Sequence, residues 1–261
     1  MAWEYEALKV ERNGSVLTVT LNRPERRNAI SPKMHVELAN CFFELRQDRE
    51  TRVVVLTGAG SSFSVGGDMT DAAPTASEFI QKDATEAREI VHGLLQCPHP
   101  IICRMNGDAV GLGATMALMC DFVIAANSGR IGDPHVRMGL VAGDGGALVW
   151  PLLIGPMLAK YYLLTGDLLG APEAAKLGLI TRSVEDAALD AEVAAIIDKL
   201  LAGAPLAQQL TKRSINAALT SMAALQLDLS LAYEGMTLLS VDHAEARQAF
   251  VAKRKPQFKG E

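Results

Sequence analysis

The 261-residue sequence lacks the features of disulfide-bonded, membrane-spanning and secreted proteins. It has four cysteines and no CxxC pair, which predicts free thiols in a reducing compartment. Its longest apolar run, residues 147–159, contains two prolines and a glycine and is shorter than the about 18 residues of a bilayer span. The first eleven residues contain three glutamates and no apolar signal segment. We therefore expect a cytoplasmic protein that binds no membrane.

A strong excess of one charge is also missing. The sequence has 25 basic and 30 acidic side chains, a formal net charge of −5, which argues against a broad surface for nucleic acids. Apolar residues make up 49% and charged residues 21%, which excludes disordered and fibrous proteins. A chain of this length buries enough surface to fold without covalent or metal cross-links. We expect one large domain, alone or with an appendage.

Strand and helix signals alternate along the first two thirds of the chain. Residues 17–21 alternate apolar and threonine side chains, as in a half-buried strand, and residues 53–57 form an apolar run typical of a strand covered on both faces. Ser31 and Pro32 predict the start of a helix, because serine caps helices and proline suits their first position. Strands that alternate with helices predict an α/β fold.

Only helical signals remain after about Ala187. We expect an α/β core in residues 1–200, which carries the functional site, and a helical oligomerisation subdomain in residues 201–261. The histidines show no metal-ligand spacing, so no metal is expected.

Two glycine-rich turns, residues 58–68 and 106–116, each follow a predicted strand. The first resembles part of a dinucleotide fingerprint, but Phe63 stands where that pattern needs glycine, so we exclude a dinucleotide site. Glycines at such places let backbone N–H groups approach a ligand closely. The two turns could aim one N–H each at a single oxygen and so form an oxyanion hole, or each could be a turn and nothing more.

Five motifs in order along the chain resemble those of the crotonase (enoyl-CoA hydratase/isomerase) superfamily, and together they cover nearly the whole sequence. They are LNRPERRNAIS (21–31), FSVGGDM (63–69), NGDAVGLGATMALMCDFVIA (106–125), IGDPHVRMGLVAGDGG (131–146) and EARQAFVAKRKPQFKG (245–260). The resemblance implies a spiral of ββα units with a C-terminal helical trimerisation region, assembled as a homotrimer or a dimer of trimers.

The resemblance also implies an acyl-CoA substrate, with coenzyme A as part of that substrate and no separate cofactor. The amides of Gly67 and Leu112 would hold the thioester oxygen as it becomes an enolate, which is the charge that an oxyanion hole stabilises. Asp68 is expected to hold the first turn through backbone N–H groups. Other positions that the resemblance places near the substrate are Arg26, Arg27, Ala29, Gly66, Asp68, Met69, Gly111, Thr115, Pro134 and Lys253.

The sequence departs from the hydratase pattern at both catalytic glutamates. Thr115 and His135 stand at those two positions. A threonine hydroxyl stays protonated near neutral pH and cannot act as a base, so hydration by two glutamates is in doubt.

His135 and Asp144 are the expected substitutes. Histidine suits acid–base work near neutral pH, and an aspartate on its other nitrogen would orient it. This pair resembles crotonase-fold hydrolases that cleave a C–C bond between two carbonyls, with His135 activating water. Alternatively, His135 delivers water or a proton to an enoyl-CoA. A non-catalytic acyl-CoA-binding protein is the third interpretation, with His135 an ordinary loop residue and Asp144 a turn residue that caps a helix.

Overall fold

The computed structural model describes residues 3–70 and 74–261, and that part of the chain contains nine strands. In chain order they are β1 (Leu8–Asn13), β2 (Val16–Leu21), β3 (Val53–Gly58), β4 (Ile101–Met105), β5 (Ala109–Val110), β6 (Phe122–Ala126), β7 (Arg130–Gly132), β8 (Leu169–Gly170) and β9 (Arg182–Val184). Six of them form a main sheet in the order β1-β2-β3-β4-β6-β9, in which only β1 and β2 pair antiparallel. A small sheet contains β5, β7 and β8.

Helices cover both faces of the main sheet and form the end of the chain. They are α1 (Pro32–Leu45), α2 (Ala76–Glu78), α3 (Ala84–Gln96), α4 (Leu112–Leu118), α5 (Gly146–Thr165), α6 (Ala171–Lys176), α7 (Leu189–Ala202), α8 (Pro205–Leu238) and α9 (Val241–Val251). A π-helical turn, Phe79–Asp83, joins α2 to α3. Three 3₁₀ turns span Pro24–Arg26, His135–Met138 and Asp186–Ala188.

The side chains of β3 show how the sheet divides the core. Val54 and Leu56 belong to the large cluster that the sheet forms with α1, α3, α4, α5 and α8, whereas Val53 and Val55 pack with α7 on the opposite face. Successive strand residues point to opposite faces, so a strand buried at every position needs apolar residues throughout. The carboxyl ends of β3 and β4 are each followed by one of the two glycine turns.

Most of the predicted elements are confirmed, as is the α/β fold with a parallel sheet and C-terminal helices. Ser31 caps α1 by accepting the Met34 N–H at 3.3 Å, with Pro32 as the first helical residue. The sequence also predicts a last strand over residues 179–184, but only residues 182–184 pair with β6. The division into residues 1–200 and 201–261 stays a prediction.

Two helices, α5 and α8, are long and apolar enough to cross a membrane by length and composition alone. The apolar run of residues 147–159 lies within α5, which continues past Lys160 to Thr165. Its backbone is non-helical at Gly155 (φ 77°, ψ 157°), so α5 consists of two shorter helical pieces. Only 22% of the most apolar 18-residue stretch of α5, and 28% of that of α8, is buried within the chain.

Candidate active site

The two glycine turns touch each other beside the carboxyl ends of β3 and β4. Gly66 and Gly111 have φ angles of 81° and 57°, which favour glycine. A Cβ on Gly66 would lie 2.8 Å from the carbonyl oxygen of Val110, so the backbones meet with no room for a side chain. Ile30 holds the first turn from the other side, since its N–H donates to Gly66 O at 2.8 Å and its carbonyl accepts the Asp68 N–H at 3.0 Å.

The amides that follow these glycines, those of Gly67 and Leu112, both belong to residues that line one cavity of about 280 Å³. Within residues 3–70 and 74–261, neither N–H donates a hydrogen bond to a protein group. A Cβ on Gly67 would have nothing within 4 Å, so the space beside it is open. Leu112 is the first residue of α4, where the helix dipole adds positive potential. Two free amides in one cavity suit an oxygen that gains negative charge.

His135 lies in the same cavity, between two carboxylates. It opens the 3₁₀ turn after β7, and its Nδ1 is hydrogen-bonded to Oδ1 of Asp133. Its Nε2 lies 3.6 Å from Oδ2 of Asp144, a distance longer than a hydrogen bond. Gly111 lies next to the ring, since a Cβ there would be in ordinary contact with the imidazole Cε1 at 3.5 Å. Asp133 and Asp144 are 1% and 6% exposed, so the charges interact with little screening by solvent.

These surroundings change the protonation of the pair. Burial alone would lower the pKa of His135, but the carboxylates of Asp133 and Asp144 outweigh it and hold that pKa well above its usual value. Burial raises the pKa of Asp144, and the positive charge of His135 opposes that rise. The Asp144 carboxyl and the His135 imidazole therefore influence each other's protonation and act as one acid–base pair.

Thr115 determines the position of Asp144. Its hydroxyl donates to Asp144 Oδ1 at 3.2 Å, and the threonine is 1% exposed and lies behind the aspartate, away from the cavity wall. Thr115 therefore contacts Asp144 and does not line the cavity, and a contact with the substrate stays a prediction. Asp144 does not cap α5, whose N-cap is Gly145 with no side-chain hydrogen bond, so the interpretation as a capping residue is wrong.

The enoyl-CoA hydratase/isomerase family model matches residues 11–261 of this chain. The chain belongs to this family. A 1,2-epoxyphenylacetyl-CoA isomerase from Escherichia coli is 38% identical over 94% of this chain and 95% of the relative, and a probable enoyl-CoA hydratase from Rhodobacter capsulatus is 33% identical over 98% and 99%. An enoyl-CoA hydratase/isomerase structure from Mycobacterium paratuberculosis has a TM-score of 0.86 and 36% identity, covering 93% of this chain and 97% of that one.

Most of the residues expected from the enoyl-CoA hydratase/isomerase pattern come together in the structure. The expected residues that line the cavity are Gly66, Gly67, Asp68, Met69, Gly111, Leu112, Pro134, His135 and Asp144. Asp68 also holds its turn as expected, since it accepts the Thr70 N–H at 3.2 Å and pairs with Arg23 at 3.1 Å.

Besides Thr115, four residues that the family pattern places near the substrate do not line this cavity. Arg26 donates to Thr70, and Arg27 pairs with Asp108 at 2.8 Å, both at the surface. Ala29 is buried, and its carbonyl accepts from an arginine side chain. Lys253 is exposed just after the end of α9. Contacts of these four residues with coenzyme A stay predictions.

Sequence reasoning missed two carboxylates of the site, Asp133 and Glu234. Asp133 stands two residues before His135 in the DPH segment of the loop motif, and that closeness could have drawn attention to it. Glu234 lines the cavity from α8 and is 8% exposed. Nothing in the local pattern of that helix separates it from a surface glutamate, so only the tertiary fold places it.

Asp133, His135 and Asp144 also form a cluster whose possible ligand atoms lie within 4.8 Å of one another. The two carboxylates face opposite nitrogens of one imidazole ring. One metal ion on a ring nitrogen would therefore meet only one of the carboxylates, and the cluster is a poor tetrahedral or octahedral site. That no metal is needed stays a prediction.

Proposed function

We propose that this protein hydrates 2-enoyl-CoA thioesters, with His135 and Asp144 replacing the two glutamates of the hydratase pattern. The observation that carries the proposal is the placement of this pair in the cavity that also contains two unpaired amides. The thioester oxygen would accept hydrogen bonds from the Gly67 and Leu112 amides. These bonds strengthen as the enolate forms, so they lower the barrier and not only the binding energy.

Water would be held between His135 and Asp144. Their facing atoms are 3.6 Å apart, too far for a direct hydrogen bond but close enough for one water to contact both. The water oxygen forms a bond to Cβ, and its proton passes to the Asp144 carboxylate. The enolate then takes a proton at Cα from the His135 imidazolium. Transfer of the proton from Asp144 to His135 restores the starting state.

Asp133 makes His135 suitable as the acid. The Asp133 carboxylate accepts a hydrogen bond from Nδ1–H of His135, so the Nε2–H of His135 faces the cavity. The same feature argues against His135 as the water-activating base of a C–C hydrolase, because a base must start as the neutral imidazole. A raised pKa works against that neutral form.

Isomerisation of an enoyl-CoA is the second candidate. It requires one group that moves a proton between carbons, and the Asp144 carboxylate, which lines the cavity, could do this without a second catalytic carboxylate. The 38% identical relative is named as a 1,2-epoxyphenylacetyl-CoA isomerase, which supports isomerase chemistry on an acyl-CoA but names a different substrate. Both candidates share the enolate and the two amides and differ only in whether water adds.

A three-substrate assay with the full-length chain separates these functions. We expect crotonyl-CoA to gain one water, seen as loss of conjugated thioester absorbance and as a mass increase. His135→Gln and Asp144→Asn should each lower kcat by about 10²-fold or more. Turnover of a 3-enoyl-CoA only would assign isomerisation, and cleavage of a β-dicarbonyl thioester would assign hydrolysis. Tight acyl-CoA binding in calorimetry without any turnover would assign a binding protein.

We also propose that the protein assembles as a homotrimer or a dimer of trimers. Support comes from large apolar side chains that α5 and α8 leave exposed, among them Met157 (84%), Leu164 (71%) and Leu225 (82%). Exposed apolar surface of this kind is typical of protein interfaces. Light scattering coupled to size-exclusion chromatography gives the assembly mass, and a monomer at micromolar concentration would contradict the proposal.

A further inference from the structure

Glu234 is a buried carboxyl group that the proposed reaction does not use. It lies on α8, lines the cavity and is 8% exposed. Its Oε2 is shielded from solvent, and no hydrogen bond from residues 3–70 or 74–261 reaches it. A carboxyl group in this position loses its hydration without a replacement in the protein, which is costly unless the group stays neutral or meets a ligand.

The fold makes space for this carboxyl group. A Cβ on Gly143 would lie 2.5 Å from the Ser230 carbonyl oxygen and 2.6 Å from Glu234 Oε2, so the glycine before Asp144 lets α8 and its glutamate pack against this loop. Apolar side chains of the same helix, Leu231 and Leu238, line the cavity on either side of it. The acyl end of a thioester that enters from the oxyanion amides would therefore meet an apolar wall with one polar group in it.

The carboxyl group is available as a hydrogen-bond donor. Burial, and next the negative charge of Asp144, raise the pKa of Glu234 to about 8. Near neutral pH it is therefore largely a carboxylic acid, whose O–H seeks an acceptor.

We propose that Glu234 donates a hydrogen bond to an oxygen atom on the acyl chain, so that the preferred substrates are acyl-CoA thioesters that carry a keto group. This inference rests on the proposed acyl-CoA function. An oxygen on the chain would give the buried Glu234 carboxyl group a partner, which a plain hydrocarbon chain would not. A site with a buried donor binds an analogue that lacks the acceptor poorly.

The test is calorimetric binding of unreactive thioesters. Hexanoyl-CoA is compared with its 4-oxo and 5-oxo counterparts, and with a 6-amino counterpart as a cationic probe. We expect at least one keto thioester to bind the wild type about tenfold more tightly than hexanoyl-CoA. Glu234→Leu should abolish this preference, whereas Glu234→Gln, which keeps an N–H donor, should retain most of it. The control is Asp228→Asn, an exposed acid on the same helix outside the cavity.

Each outcome has a distinct meaning. Equal binding of the keto and plain thioesters by the wild type, or a keto preference that survives Glu234→Leu, overturns the inference. Preferred binding of the amino thioester that Glu234→Leu abolishes does so as well, since it would require an ionised Glu234. Because these ligands need no turnover, a protein without hydratase activity but with a Glu234-dependent keto preference would contradict the proposed function alone. Thermal unfolding of each variant verifies that it is folded.

Discussion

The hydroxyl of Thr115 donates a hydrogen bond of 3.2 Å to Oδ1 of Asp144. Thr115 occupies a position where the hydratase pattern has a catalytic glutamate, so α4 still supplies a polar group to the site, but it acts through Asp144. Burial raises the pKa of Asp144, and the Thr115 hydroxyl, after the charge of His135, opposes that rise. The missing glutamate is thus replaced by a residue that positions another acid.

Replacing this hydroxyl should weaken the reaction and shift its pH dependence. In Thr115→Val the ionised form of Asp144 loses a donor, so its pKa rises and the acid limb of the kcat/KM profile moves to higher pH. We expect kcat/KM at neutral pH to fall about fivefold. The measurement is the pH profile of crotonyl-CoA hydration. Thr115→Ser keeps the hydroxyl and serves as the control, and an unmoved acid limb in Thr115→Val would contradict the assignment.

The Asp133 carboxylate should be essential for the state of His135. In Asp133→Asn the charge that raises the pKa of His135 is lost, so the imidazolium deprotonates at lower pH and the ring is no longer held in one orientation. We expect kcat to fall by about 10²–10⁴-fold and the basic limb of the profile to move to lower pH. Asp167→Asn, which removes an exposed partner of Arg137 on the same 3₁₀ turn, is the control. Near-normal kcat in Asp133→Asn would show that His135 does not act as the acid.

Much of this site is readable from the sequence because its requirements are local. Gly66 and Gly111 have positive φ angles in turns that directly follow strands, and His135 and Asp144 belong to one short loop. Their types and spacing therefore carry the information. The amides of Gly67 and Leu112 are predictable for the same reason, as they follow those glycines directly.

Other features depend on contacts between distant parts of the chain. Glu234 becomes a site residue only because α8 passes beside Gly143. Strand β1 shows no clean alternation, since Leu8 is its one buried residue and the rest of the strand is half-buried or exposed. The strands of the small sheet, such as Ala109–Val110, are too short for any periodicity. Tertiary packing, and not local preference, produces these elements.

The Leu112 amide can be removed with little disturbance of α4. Proline is tolerated at the first helical position, and the Leu112 N–H has no acceptor in the described protein to lose. We expect Leu112→Pro to lower kcat by about 10²–10³-fold, the usual effect of losing one oxyanion donor. Leu112→Met keeps the amide and should lose less than about tenfold. Steady-state kinetics measures both, and equal losses in the two variants would mean that the side chain, not the N–H, matters.

Glu234 should also make stability depend on pH. Its pKa is raised to about 8 in the folded protein from an ordinary value of 4.5, so between these pH values the folded state holds a proton that the unfolded state releases. Rising pH therefore destabilises the fold by about 1.4 kcal/mol per pH unit through this group. Urea unfolding at pH 5 to 8 should show that the free energy of unfolding of Glu234→Gln increases relative to that of the wild type as pH rises. If the free energy of unfolding of Glu234→Gln and that of the wild type changed with pH in parallel, a buried neutral carboxyl group would be contradicted. The control is Asp228→Asn, which should change in parallel with the wild type.

Activity should not depend on a metal ion, although Asp133, His135 and Asp144 could be taken for ligands. Nδ1 of His135 is engaged by Asp133, and Asp144 faces the other nitrogen, so an ion at either nitrogen would break the hydrogen bond or displace the water that the reaction needs. We expect kcat to stay within about twofold after dialysis against EDTA, and added Zn²⁺ to inhibit by occupying Nε2. The measurement is the hydration rate before and after dialysis, with metal content determined on the same samples. Loss of activity that Mg²⁺ or Zn²⁺ restores would instead make the cluster a metal centre.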